Sequence, residues 1–457
     1  MKYTALFFVI VGFLTITLSC SSNSGNDYIP IDTSTVDDIA ETNQNSSALI
    51  AVLDNDTNVP SDGILTVTQP QHGFVEIQTN NTATILDDAV LYTPSFDYVG
   101  PDTFTYKICS ATNQQDCVQE TVSVNVLPVS PVVFDLNNMP YTNLSDYNFF
   151  SGNMADQEPV YGVIPYEPIT PLFVDYAHKK RFVWMPQGQA ANYVSDHEVL
   201  DFPIGTILIK TFYYDEVQPN NTRRLIETRL MIRKETEWIF ADYVWNTDQT
   251  EAVFDNNGSY TFVEWNQNGQ TLSANYRIPS ETECHTCHKK GETPTPIGPK
   301  PQNINKVFDY ADGSSNELEK LEAFGYLNPG YPSDITTVVD WEDPSQPLNL
   351  RVRSYFDMNC AHCHSDNAHC DYMSMRFAFN ESADEANLGV CITPQENVNS
   401  ALSHIVKPGN TGRSALYYRI NTNQEDIRMP LLGRSIIHEE GVALIEEWIN
   451  SLTTNCN

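Results

Sequence analysis

The sequence predicts a multidomain chain: an N-terminal all-β sandwich, a β-rich middle region and a mainly α-helical C-terminal region. Short alternating segments separated by Asn, Asp, Gly and Pro turns fill residues 36–128, and β-branched and aromatic runs continue through 131–280. In 281–457 the apolar spacing changes to the three- and four-residue period of helices. A chain of 457 residues also exceeds one ordinary core, so several domains are expected.

The charge balance is strongly acidic. The chain has 59 Asp and Glu against 25 Lys and Arg, a formal net charge of -34. Neutralising phosphates requires clustered Lys and Arg, so the composition argues against nucleic acid as a partner. An acidic surface is typical of secreted proteins and can attract a basic protein partner.

The N-terminus predicts export and lipidation. "ALFFVIVGFLTITL" at residues 5–18 has signal-peptide length and is short for a membrane span. It ends in "TLSC", which resembles the lipobox of bacterial lipoproteins. The resemblance implies a signal peptide at 1–19, a lipid on Cys20 and a polar tether at 20–35, with a plain signal peptide as the alternative. We therefore expect an outer-membrane lipoprotein, periplasmic or surface-facing, that touches the membrane through the Cys20 lipid only.

Residues 36–128 carry the strand spacing of a β-sandwich, with segments such as "ILTVTQPQHG", "DTFTYKIC" and "ETVSVNVLP". This stretch resembles the cadherin-like or bacterial immunoglobulin-like modules of secreted proteins. The resemblance implies a spacer or adhesion unit. Cys109 and Cys117 flank a hairpin-sized loop, and in an oxidising compartment we expect a disulfide between them.

One turn of this module offers oxygen atoms to a cation. Asp54, Asn55 and Asp56 are consecutive, and carboxylate and amide oxygens are ligands of Ca²⁺. A possible Ca²⁺ site is therefore noted, although a polar turn is the favoured interpretation.

The chemistry-bearing feature is a C-x-x-C-H pattern that occurs twice. The first motif is Cys284, Cys287 and His288, and the second motif is Cys360, Cys363 and His364. In c-type cytochromes two thiols at this spacing attach to the haem vinyl groups, and the following His ligates the iron. The sequence therefore predicts two covalently attached haem c groups, held by the four Cys and by His288 and His364.

Zinc and dithiol chemistry remain open alternatives. Zinc ribbons pair two C-x-x-C units about 15–20 residues apart, whereas these units are 73 residues apart. Dithiol oxidoreductases need C-x-x-C beside a βαβ pattern, which the sequence lacks. Haem is the favoured interpretation.

Met429 is the predicted sixth ligand of the second haem. It lies in "DIRMPLLG" before the last predicted helix, which resembles the distal ligand loop of class I cytochromes c. The alternative is a packed loop Met. For the first haem no equal candidate exists: His178, His197, Met185 or Met231 could reach over, or the position is vacant.

The remaining Cys and His residues have structural interpretations. Cys370 and Cys391 are predicted to form a disulfide. Cys456 is left over near the C-terminus, without a predicted partner. His362 and His369 are interpreted as surface side chains without a specific role.

Several longer segments carry a family resemblance. "RVRSYFDMNCAHCH", "RMPLLGRS" and "LIEEWINSL", with "PLFVDYAHKKRFVWMP" and "IETRLMIRK" upstream, resemble a family of secreted dihaem c-type cytochromes. Some relatives are associated with sugar-dehydrogenase-like propellers. The resemblance covers roughly 131–457. It implies a dihaem cytochrome c-like domain at 281–457 that travels with 131–280, with the immunoglobulin-like module added in front.

These expectations define a predicted function. The chain is expected to be a lipid-anchored dihaem c-type cytochrome that relays electrons outside the cytoplasm. Its donor would be a dehydrogenase or a quinol-linked protein, and its acceptor a downstream protein such as another cytochrome. The alternatives are a dihaem peroxidase or oxidase with one five-coordinate haem, and an adhesion or binding lipoprotein. An electron carrier is favoured over an enzyme.

Overall fold

The computed structural model describes residues 28–396 and 398–456. The predicted signal peptide and the predicted lipidation site at Cys20 lie outside these residues. The chain divides into two compact units, Met1–Val129 and Ser130–Asn457. Among the described residues, no helix combines the length and apolarity that a membrane span requires.

The N-terminal unit is an all-β domain of two sheets. One sheet has the strand order β1-β7-β6-β3 and the other β2-β5-β4. β1 runs parallel to β7, and the other pairs are antiparallel. The strands are β1 (Asp38–Asn43), β2 (Ala48–Ile50), β3 (Ile64–Val67), β4 (Gly73–Gln78), β5 (Ala89–Pro94), β6 (Gly100–Cys109) and β7 (Cys117–Leu127).

Alternation along the strands builds the core of this unit. In β6, Phe104 and Tyr106 are buried, and in β7, Val122 and Val124 are buried. They join Val90 of the facing sheet in one apolar cluster. Because side chains alternate between the faces of a strand, this pattern buries one face of each sheet. It confirms the predicted N-terminal all-β architecture.

The start of the described chain belongs to this domain. The Tyr28 hydroxyl donates a hydrogen bond to Asp116 (2.5 Å), and the Ile31 amide donates to the same carboxylate (2.8 Å). The last part of the predicted tether at 20–35 is therefore packed on the domain.

Two residues of the predicted Ca²⁺-binding turn, Asn55 and Asp56, already make hydrogen bonds within the domain. The Tyr106 hydroxyl donates to both carboxylate oxygens of Asp56 (2.9 and 2.8 Å). The Asn55 amide donates to Asp38 (3.1 Å). Ca²⁺ binding at Asp54, Asn55 and Asp56 stays a prediction.

The second unit combines one large sheet with short helices. Its strands are β8 (Phe150–Ser151), β9 (Glu158–Pro159), β10 (Ile164–Pro165), β11 (His178–Trp184), β12 (Ile207–Val217), β13 (Thr222–Arg233), β14 (Trp238–Trp245), β15 (Ala252–Phe254), β16 (Ser259–Gln267), β17 (Gln270–Ile278), β18 (Lys289–Lys290), β19 (Thr293–Pro294), β20 (Val307–Tyr310) and β21 (Gly313–Asn316). Its helices are α1 (Glu281–Cys287), α2 (Pro301–Ile304), α3 (Glu317–Ala323), α4 (Leu348–Asn359), α5 (Ala415–Ile420) and α6 (Glu439–Ser451).

The large sheet is antiparallel and presents two neighbouring rows of different character on one face. The strand order is β10-β11-β12-β13-β14-β15, and the hairpin of β16 and β17 joins β12. In antiparallel pairs, directly opposite residues point to the same face. The apolar row is Val183, Leu208, Met231 and Phe240, and the charged row is Arg181, Lys210, Arg229 and Asp242.

Helices α4 and α6 pack against each other around aromatic side chains. Phe356 of α4 meets Trp448 of α6 edge to face, with ring centroids 6.0 Å apart. Ile445, Trp448 and Ile449 are buried in the same cluster. Residues at i, i+3 and i+4 share one face of a helix, so the apolar stripe read from the sequence is the packed face of α6.

The C-terminal region is less helical than predicted. Residues 281–457 hold six helices in their described part, the longest being the 13 residues of α6. Residues 324–347, 360–396 and 398–410 are turns and irregular chain. These connections contain Pro, Gly and Asn, which break the helical period. The structure therefore does not support the prediction of a mainly α-helical region there.

One of the two predicted disulfides is wrong. Cys109 is bonded to Cys117, but Cys391 is bonded to Cys456 and not to Cys370. Cys370 is a buried free thiol in a tight turn, where its amide donates to the Cys363 carbonyl (2.9 Å). The chain after α6 brings Cys456 to Cys391. Cys456, which had no predicted partner, is therefore the partner of Cys391.

The loop before β11 connects the sheet to the helices within this unit. The Phe173 amide donates to the Asn359 side chain at the end of α4 (2.8 Å). The Asp175 carboxylate accepts from the amides of Ser435 (2.6 Å) and Ile436 (3.1 Å). The regions predicted at 131–280 and 281–457 thus lie in one compact unit.

Candidate functional site

The first motif lies on a capped helix. Ser280 and Glu283 form a capping box at the start of α1. Cys284 and Cys287 are three residues apart and therefore on one face of this helix. His288 ends the helix, and its amide donates to the Cys284 carbonyl (2.9 Å). The local sequence thus sets both thiols and the imidazole on one turn.

The second motif follows α4 in a tight turn. The Cys360 amide donates to the Phe356 carbonyl (2.8 Å) and ends the helix. The amides of Cys363 (3.1 Å) and His364 (3.0 Å) then donate to the Cys360 carbonyl. The two motifs therefore have the same local form: a helical turn that gathers two thiols and one imidazole.

Each motif lines a large cavity. The first cavity has 1200 Å³ of space free of protein atoms, its open side included, and is lined by the first motif and by the sheet face with the apolar and charged rows. The second cavity has 1320 Å³ and is lined by the second motif, by Met429 and by side chains of α4 and α5. The structure therefore brings Met429 to the cavity of the second motif, where the sequence predicted it.

The two cavities share a wall. Cys287, His362 and Phe173 line both cavities, as does Pro430 of the Met429 loop. The sulfur atoms of Cys287 and Cys363 and a ring nitrogen of His362 lie within 4.8 Å of one another. His362, interpreted from sequence as a surface residue, is instead half-buried between the two motifs.

His288 has the form of a metal ligand. Its Nδ1 lies 3.2 Å from the Thr295 carbonyl oxygen, which fixes the proton on Nδ1 and leaves the Nε2 lone pair free. Burial, and then the charge of Lys210, lower the pKa of His288 to about 3. A neutral imidazole with one free nitrogen fits ligation of haem iron.

His364 is also neutral and has an unsatisfied nitrogen. Its Nδ1 is buried, and no described residue hydrogen-bonds to it. Burial lowers the pKa of His364 to about 4, and the ring packs edge-on against Phe377 at 5.4 Å. Buried polar atoms are rarely left unpaired, so an unpaired imidazole nitrogen beside a cavity fits a group bound there.

The thiols differ in acidity. Burial raises the pKa of Cys284 and that of Cys360 to about 12. A hydrogen bond with Cys363 lowers the pKa of Cys287 well below its usual range. The first Cys of each motif is therefore a neutral thiol, whereas Cys287 has the depressed pKa that is typical of a reactive thiol.

The Met429 loop is held by a residue that the sequence analysis missed. Arg434 is 4% exposed and inside the loop. Its guanidinium donates hydrogen bonds to the carbonyls of Met429 (3.0 Å), Thr422 (2.8 Å), Arg419 (3.2 Å), Ile420 (3.3 Å) and Ile436 (3.3 Å). A single Arg in a loop has no distinctive sequence signal.

Of the four side chains offered as sixth ligand of the first haem, Met231 lines the first cavity. His178 packs beside Tyr213, with ring centroids 5.3 Å apart, and Met185 is buried in the core. His197 lines a different cleft. The sequence analysis did not identify Lys210, which lines the first cavity in the charged row.

The charged row contains a compact acid–base network. Arg229 binds Glu227 through two hydrogen bonds (2.5 and 3.0 Å), and the Tyr276 hydroxyl donates to the same carboxylate (2.6 Å). Burial and the neighbouring Glu227 raise the pKa of Asp242 well above its usual range. The proton of this network is therefore favoured on Asp242, and Glu227 is the counter-ion of Arg229.

Two-sheet architecture and sequence together define the N-terminal unit as an immunoglobulin-like β domain. Residues 26–125 match the family model described as a bacterial Ig domain, so the domain begins before the predicted boundary at 36. No curated protein matches the chain.

Two solved structures show weak likeness. The ectodomain of human desmocollin-1 is 9% identical over 53% of this chain and 57% of its own length, with a TM-score of 0.15. A teleost fish polymeric Ig receptor ectodomain is 7% identical over 54% of this chain and 97% of its own, with a TM-score of 0.13. Scores this low carry no argument about fold or function.

Proposed function

We propose that this protein is a c-type cytochrome that attaches two haem groups and carries single electrons between protein partners. The observation that supports it best is the meeting of the two motifs. Two C-x-x-C-H turns, each at the wall of its own large cavity, approach within 4.8 Å at Cys287 and Cys363. Haem, when bound, supplies reversible one-electron chemistry.

The residues of each cavity have separate tasks in this proposal. The four motif Cys residues hold the two groups covalently. His288 offers Nε2 to one iron because Thr295 takes its other nitrogen. His364 serves the second iron, and Met429 offers a thioether to the same iron, which favours a higher reduction potential.

The shared wall supports a relay role. Since Cys287 and Cys363 adjoin, groups attached there would be attached at neighbouring points. An electron could then pass from the group in one cavity to the group in the other across this shared wall. The proposal includes a lipid on Cys20 that holds the protein at the outer membrane, and a dehydrogenase, quinol-linked protein or other cytochrome as partner.

The test is a haem count on the mature protein. We expect a pyridine haemochrome assay and an intact mass to give two haems per chain. Replacing both Cys of the first motif, or both Cys of the second motif, with Ala should remove one haem each. Cys370→Ser is the matched control and should retain two, because Cys370 is a free thiol outside both motifs. A colourless wild-type protein without added mass would overturn the proposal.

A second candidate function rests on one observation. Cys287, His362 and Cys363 can each offer one ligand atom to a metal ion, and these atoms are clustered. Two thiolates and an imidazole are suitable ligands for zinc. His362→Ala separates the two functions: a cytochrome keeps both haems in this variant, whereas a zinc protein carries no haem and loses its bound zinc.

A further inference from the structure

Lys210 is a basic side chain that lines the first cavity. Its Nζ lies 4.8 Å from the centre of the Phe212 ring. Among the described residues, it makes no side-chain hydrogen bond and no ion pair. Its neighbour Arg229, by contrast, is paired with Glu227. Burial lowers the pKa of Lys210 well below its usual range, and an anion placed beside the amine would restore its positive charge.

The place of Lys210 in the sheet relates it to the first motif. Lys210 is directly opposite Arg229 in the charged row, next to the apolar row that ends at Phe240. The His288 ring packs on Phe240, with centroids 5.5 Å apart. The imidazole thus adjoins the apolar row, while the ammonium lies one row further along the same cavity wall. A group held at His288 would therefore lie beside the apolar row, and Lys210 lines the same cavity.

We propose that Lys210 binds a carboxylate of the haem attached at the first motif. This inference rests on the proposed function, and haem carries two propionate carboxylates on one edge. Lys210 is the side chain available to pair with one of them, because Glu227 occupies Arg229. Lys210 would bind a propionate carboxylate of the haem and would not be a ligand of the iron.

The experiment uses the full, haem-loaded protein and compares three variants. Lys210→Gln removes the charge, and Lys210→Arg keeps it but cannot ligate iron. Lys179→Gln is the matched control, because Lys179 is on the adjacent strand and faces a different cavity. The readouts are optical spectra, which report iron ligation, and a redox titration of both haems.

We expect Lys210→Gln to lower the midpoint potential of one haem and to leave the other unchanged. Removing a positive charge near a carboxylate favours the oxidised iron. Lys210→Arg and Lys179→Gln should keep the wild-type midpoints, and all three variants should keep the wild-type spectra. If Lys210→Gln matures with a single haem while Lys210→Arg keeps two, this also supports recognition of the carboxylate.

Three results would overturn the inference. Unchanged midpoints in Lys210→Gln would show that no carboxylate depends on Lys210. A high-spin spectrum in both Lys210 variants would make the amine an iron ligand instead. Loss of one haem in Lys210→Arg would likewise show that the amine, and not the positive charge alone, is required. None of these touches the proposed function, which fails separately if the wild-type protein carries no haem.

Discussion

At the scale of single residues, Arg434 determines where Met429 can be. One guanidinium joins five carbonyls of the Met429 loop and of the end of α5, and Asp175 accepts from the adjoining amides. The planar fork of Arg can satisfy several carbonyls at once, which the single ammonium of Lys cannot. The position of Met429 is therefore a property of the loop as a whole.

Arg434→Lys should change the position of Met429, although Met429 itself is not replaced. We expect the loop to lose about 2–4 kcal/mol of stability, because several buried carbonyls lose their donor. In the haem-loaded protein, the ferric absorption band that marks Met ligation should disappear, as it should in Met429→Ala. Arg413→Lys, at an exposed site, is the control. An intact band in Arg434→Lys would show that the loop does not depend on the guanidinium.

The sequence was informative about these residues to different degrees. The motif Cys and His could be singled out because the C-x-x-C-H spacing is distinctive, and Met429 because of its place before the last helix. Lys210 and Arg434 could not, because their roles depend on pairings between strands and on loop closure. His362 was misjudged for the same reason, since its neighbour Cys287 is 75 residues away in sequence.

At the scale of elements, α3 begins at a buried acid. The Glu317 carboxylate accepts a hydrogen bond from the Glu167 amide (3.1 Å), and burial raises its pKa to about 8. Its ordinary value is 4.5. Between these values the folded chain holds a proton that the unfolded chain has lost. The contribution of this group to stability therefore falls as the pH rises from about 4.5 to 8.

Glu317→Gln should flatten this pH dependence. We expect the variant to gain stability relative to the wild type as the pH rises from 5 to 8, by on the order of 2–4 kcal/mol. Thermal melts at several pH values measure it. Glu319→Gln, exposed on the same helix, should follow the wild type. Parallel curves for Glu317→Gln and the wild type would contradict the prediction.

The chain beyond α6 is attached by the Cys391–Cys456 disulfide, which closes 65 residues. Cys391→Ser with Cys456→Ser should cost about 4 kcal/mol by the loop-entropy estimate, seen as a lower Tm. Cys370→Ser serves as control and should leave the disulfides intact. A non-reduced peptide map checks the pairing directly, and a Cys370–Cys391 peptide would contradict the structure.

Helix α6 and the strands of the N-terminal unit could be predicted because each carries a clean apolar period. The long connections around the second motif could not. Their residues are buried by wrapping a cavity, and such burial has no fixed period along the chain. A mainly helical region was expected because the helical spacing present in parts of 281–457 was extended to the connections between them.

At the scale of the whole molecule, the boundary at Val129 and Ser130 separates the immunoglobulin-like domain from both motifs. We expect a protein lacking residues 28–129, with its N-terminal export segment retained, to mature with two haems. Spectra and midpoints should equal those of the full chain. Loss of either haem would mean that the N-terminal unit contributes to a cofactor site.

If the proposed function is correct, the closeness of Cys287 and Cys363 imposes an order on assembly. Two neighbouring thiols in an oxidising compartment tend to join as a disulfide, which would block both attachment sites at once. Under the proposed function, the chain would have to receive its haems before these turns close, or be kept reduced until then. Protein made without haem supply should accumulate as a misjoined, colourless species. The closeness of the two thiols would shorten the electron path in the finished protein. It would also make maturation depend on the proteins that attach haem or keep these thiols reduced.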